Sequence, residues 1–85
     1  MVKVRVVFIP LEGPVRRGTL VLKADATIRE AIDAAKAVGL GSQLRSDKRV
    51  FLMDRPVDPN EEPHVTFHDN AELVIVEEDE PATAV

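Results

Sequence analysis

Residues 27–40, TIREAIDAAKAVGL, constrain the fold more than any other stretch, because they specify one helix and both of its ends. Thr27 can accept from the first free amides, and Glu30 three residues later completes a capping box. Ile28, Ala31, Ile32, Ala35 and Val38 recur at helical spacing, so one stripe is apolar. Arg29, Glu30, Asp33 and Lys36 fall on the wet side. Gly39 supplies the left-handed residue that stops the helix, and Leu40 the apolar residue behind it. The spacing predicts a helix over about 27–38, roughly three turns. A lone amphipathic helix must lay its stripe on another layer. With 85 residues there is room for one domain.

The flanking segments supply a sheet for that layer. In VKVRVVFI (2–9), Val2, Val4, Val6 and Phe8 share one face, and Lys3, Arg5, Val7 and Ile9 the other. The prolines and glycine of PLEGPVRR (10–17) turn the chain, with Arg16 and Arg17 placed in that hairpin loop. GTLVLKA then runs back as a strand, with Leu20 and Leu22 inward and Thr19, Val21 and Lys23 outward. Arg49–Met53 reads as a third strand, and Asp54, Arg55 and Pro56 as a turn. Val57 begins at most a short edge piece, since Pro56 and Pro59 forbid a long central strand. DPNEEP is loop, and VTF (65–67) is a short strand or a helical turn. ELVIVEE is the last strand, with Leu73 and Ile75 on one face and Val74 and Val76 on the other. The Val and Ile content of the first and last strands places them side by side, parallel, at the sheet centre. Residues 1–77 are the domain, and 78–85 an acidic, disordered tail.

Composition removes several function classes. There is no cysteine, so thiolate chemistry, disulfides and cysteine-held metals are excluded. A net charge of −4 argues against general nucleic-acid or anionic-membrane binding. No stretch approaches the roughly 20 apolar residues of a membrane span, and MVKVRVVFIP has charges inside its apolar run, unlike a signal peptide. A cytoplasmic protein is expected. His64 and His68 are four apart, but two ligands do not make a metal site, so no metal and no cofactor are expected. No nucleophile–base set and no glycine-rich phosphate loop occurs, so the chain does not read as an enzyme.

The order β-β-α-β-(β)-β, with ADATIREAI leading into the helix, VFLMDRPV as strand and return, and ELVIV as the closing strand, resembles the ubiquitin-like β-grasp superfamily. The resemblance covers residues 2–77. It implies an α+β fold in which a mixed four- to five-stranded sheet packs on one helix. Within the superfamily, RVFLMDRPVDP and HDNAELVIVEE are similar to the bacterial RnfH-type family. The molybdopterin-synthase small subunit and the thiazole sulfur carrier share the layout. Here HDNAE stands where such families prefer a Gly-Asp turn, and their aromatic, Arg and Pro continuation is missing.

Carrier and modifier members need a C-terminal Gly-Gly, because only glycine backbone is thin enough for the adenylation channel. No Gly follows Gly41, so a sulfur-carrier or protein-modifier role is the disfavoured alternative. The expected function is non-covalent protein binding, as an adaptor or accessory subunit; by analogy with other small β-grasp subunits, a redox or oxygenase complex is one setting. The face turned away from the helix carries Val7, Ile9, Phe51, Val74 and Val76, with Lys3, Arg5 and Arg55 as its rim. An exposed sheet face normally alternates to polar residues, and a contiguous apolar one marks a partner site. In ubiquitin the equivalent face binds most partners, and the resemblance puts Phe51 at its centre. The partner is a protein, or a second copy of this chain through the same face.

Overall fold

A computed structural model describes residues 1–41, 49–58 and 67–77. The connector at 42–48, the DPNEEP loop beyond Asp58 with His64, Val65 and Thr66, and the acidic tail at 78–85 lie outside the described residues. The elements are β1 (Val2–Ile9), β2 (Arg16–Leu22), α1 (Ile28–Ala37), β3 (Arg49–Leu52), β4 (Arg55–Val57) and β5 (Ala71–Val76). The fold is α+β, with one helix against a mixed five-stranded sheet of order β2-β1-β5-β3-β4. β1 and β5 run parallel at the centre, and every other pairing is antiparallel.

The helix ends follow their residues. Thr27 Oγ1 accepts from the Glu30 amide at 3.1 Å. At the other end the Leu40 amide donates to the Ala35 carbonyl at 2.8 Å and the Gly39 amide to the Lys36 carbonyl at 3.1 Å. Gly39 sits at φ +79°, which costs a residue without Cβ little, so these paired bonds close the last turn. Ile28, Ala31, Ile32 and Ala35 are buried. Val38, assigned to the same stripe, is the C-cap and is exposed, because the helix has ended before it reaches the sheet.

Period two decides which strand residues meet that stripe. Val4, Val6 and Phe8 of β1, Leu20 and Leu22 of β2, Val50 and Leu52 of β3, and Leu73 and Ile75 of β5 are all buried. Val2 is half-buried at the margin of the same cluster. Phe67 completes the core at 1% exposure, although it lies in neither strand nor helix. Its amide donates to the Ala24 carbonyl at 3.0 Å, which ties the approach to β5 onto the approach to α1.

Both ends of the parallel pair are clasped. The Lys3 amide donates to Asp69 Oδ1 at 2.8 Å, and the Asn70 amide to the Lys3 carbonyl at 2.7 Å. Asn70 adopts φ +65°, a left-handed turn conformation that Asn tolerates, which explains how HDNAE turns the chain without a glycine. At the other end the Glu77 amide donates to the Ile9 carbonyl at 2.9 Å, and Glu77 Oε1 accepts from the Leu11 amide at 3.2 Å.

Two hairpin boundaries differ from the sequence reading. β2 begins at Arg16, so Arg16 and Arg17 are strand residues rather than loop residues. The turn between β3 and β4 is Met53–Asp54, both at positive φ, and Arg55 and Pro56 belong to β4. Met53 is therefore outside β3. In a two-residue hairpin the closing pair, Leu52 and Arg55, exchanges the hydrogen bonds, and the next pair, Phe51 and Pro56, does not. Pro56 thus occupies an edge-strand position where its missing N–H costs no ladder bond.

Candidate functional site

The sheet register sets out the face opposite the helix as rows, since directly opposed residues share a face. One row runs Arg17, Val7, Val74, Phe51, Pro56 across all five strands. Above it lie Ile9, Val76 and Arg49. Below it lie Thr19, Arg5 and Glu72, and beyond them Val21 and Lys3. Val7, Phe51, Val74 and Val76 are half-buried, and Ile9 is exposed. The register turns all five away from the buried face that the helix covers.

The register therefore gathers Val7, Ile9, Phe51, Val74 and Val76 into one contiguous apolar band on β1, β5 and β3. Arg5 borders the band one row away. Arg55 does not. It stands opposite Leu52, whose side chain is buried in the core, so Arg55 projects on the helix side of edge strand β4. The cause is the turn: the chain reverses at Met53–Asp54, one position earlier than its residue types suggest, and a one-residue slip exchanges faces.

Residues not expected at this face also belong to it. Pro56 extends the Phe51 row to the sheet edge. Arg49 lies two positions before Phe51 on β3 and holds its guanidinium carbon 5.9 Å from the ring centroid, a cation–π contact. Arg17 reaches the outer face because successive strand residues point oppositely. Its neighbour Arg16 goes to the other side, where Nη1 donates to the Gly39 carbonyl at 3.1 Å beside the helix C-terminus. The strand pattern would have separated the two arginines had β2 been started two residues earlier. Arg17, Thr19, Arg5, Val7 and Glu72 border a shallow cleft of about 310 Å³ that lies over β1, with β2 on one side and β5 on the other.

His68 is exposed, and its suggested partner His64 lies outside the described residues. Among the described residues no three His, Cys, Asp or Glu side chains are grouped to hold a metal ion, and no helix is long and apolar enough to cross a membrane. No protein-family model matches the chain, and no curated protein or solved structure matches it.

Proposed function

We propose that this chain is a ubiquitin-like β-grasp domain that binds another protein non-covalently through the outer face of its sheet, as an adaptor or accessory subunit in the cytoplasm. The layout of one helix on a mixed sheet with parallel central strands is compatible with that superfamily. The observation that carries the binding role is the band Val7–Val74–Phe51, flanked by Ile9 and Val76. A folded domain has no internal use for a second apolar sheet face once its helix covers the first. Such a contiguous patch gains free energy when a partner removes it from water.

The test is a pull-down from the source cells with wild type beside Phe51→Asp and Val74→Asp, with circular dichroism on all three. A protein held by wild type and released by both folded variants supports the reading. A protein held equally by all three sinks it. Sedimentation across a concentration series separates a foreign partner from a second copy of the chain.

A further inference from the structure

The outer face is basic as well as apolar, in a chain whose net charge is −4. Its strand positions include Lys3 and Arg5 on β1, Arg17 on β2 and Arg49 on β3. Against them stands Glu72, the one acidic residue within the five strands. Opposite charge on the protein is thus carried elsewhere, and the cations meet at the margin of the apolar band.

They converge most closely at the cleft over β1, walled by β2 and β5. Arg5 opposes Thr19, and Val7 opposes Arg17, so the two arginines are diagonal neighbours on one face. Diagonal cross-strand positions lie about 7 Å apart. Two exposed guanidinium groups at that spacing can both reach one oxyanion placed between them. Neither has a hydrogen-bond or ion-pair partner among the described residues. Thr19 adds a hydroxyl on the cleft wall, and Glu72 lies on the other wall as a competing carboxylate.

We propose, resting on the sheet-face reading above, that this cleft takes the carboxylate of an Asp or Glu in an acidic and apolar segment of a protein partner. The apolar side chain of the same segment lies on Val74 and Phe51, one and two strand spacings from β1, or about 5 and 10 Å. Guanidinium groups favour carboxylates because the fork of donors matches the two oxygens. A nucleic acid fits less well. Its repeated phosphates meet an acidic protein at long range. Bases need open aromatic faces to stack on, and Phe51, the aromatic residue of this face, already carries Arg49 over its ring.

The test uses the full chain, labelled with ¹⁵N, and three probes. The first is a blocked peptide of alternating Asp and Leu. The second is the same peptide with Asn for every Asp, and the third is a single-stranded oligonucleotide. The Asp peptide is expected to shift the amide resonances of Arg5 and Arg17 together with those of Phe51 and Val74. Its affinity should exceed that of the Asn peptide about tenfold, as charge-assisted hydrogen bonds to a carboxylate imply. That advantage should vanish in Arg5→Gln/Arg17→Gln and persist in part in Arg5→Lys/Arg17→Lys. Glu72→Gln should tighten the Asp peptide by roughly threefold, by removing a like charge.

Equal affinity for both peptides, with shifts confined to Phe51 and Val74, overturns the carboxylate cleft and leaves the sheet-face reading standing. Shifts at Arg5 and Arg17 without any at Phe51 and Val74 overturn the apolar half of the proposal, and with it the role given to the Val7–Val74–Phe51 band. Tighter binding of the oligonucleotide than of the Asp peptide overturns the choice of partner. Silence towards both peptides overturns the proposal outright.

Discussion

The two faces of the sheet are built from the same kinds of side chain and have opposite fates. Val74 and Ile75 are adjacent on β5; one is half-buried on the open face and the other is fully buried under the helix. Phe8 and Phe51 differ in the same way, with Phe8 in the core and Phe51 half-covered outside. The difference teaches that apolar content does not define a core. The helix does, by covering one face and leaving the other with equivalent residues and no second layer.

Substitutions can break that comparison, and the largest effect should come from the aromatic pair. Phe8→Ala should cost about 3–5 kcal/mol in urea unfolding, the usual loss for a buried Phe. Phe51→Ala should cost well under half as much, about 1 kcal/mol, because its ring is only partly covered and no second layer packs on it. Equal losses would mean that the outer face is packed as a core. Next come the neighbours on β5. Ile75→Ala should cost about 2–5 kcal/mol, and Val74→Ala less than about 1 kcal/mol. Both effects can be read from denaturation midpoints at unchanged slope.

A smaller change sharpens the comparison at the helix itself. Thr27→Ala should cost about 1 kcal/mol by freeing the Glu30 amide, and Thr27→Ser should restore most of it. The smallest difference is expected from the two arginines. Arg16→Ala removes a donor from the helix C-terminus and should cost about 0.5 kcal/mol, falling with added salt. Arg17→Ala, facing the other way, should leave thermal unfolding unchanged. A reversal of that order would place β2 one residue out of register.

Much of this arrangement was legible in the residues. The helix announced both caps, and strict alternation in VKVRVVFI and ELVIV assigned the faces of the two central strands. The apolar band could be read from the same alternation. What escaped was governed by turns. Met53–Asp54 adopts a mirror-image two-residue turn without the Asn-Gly or Asp-Gly pair that normally announces one. Residue types alone therefore place the reversal late and Arg55 on the wrong face. Pro14 and Val15 hide the start of β2, so Arg16 and Arg17 read as loop residues and the cleft has no signature in the sequence. Phe67 gives no periodic signal, because it is buried outside every described strand and helix.

The clasps on the central strands carry a consequence for biosynthesis. Lys3 is bonded to Asp69, and Leu11 to Glu77, each across 66 positions of chain. While the protein is being made, β1 can find β2 early, but its other edge stays unpaired until residues 71–76 have left the ribosome. Until then the growing chain displays a Val-rich strand edge, the kind that pairs with strangers. The sheet can close only after the strand made last slots between strands made long before. Folding that waits on such distant pairing is slow to begin. A translational pause or truncation before Ala71 should therefore harm solubility far more than a fault in any one surface contact.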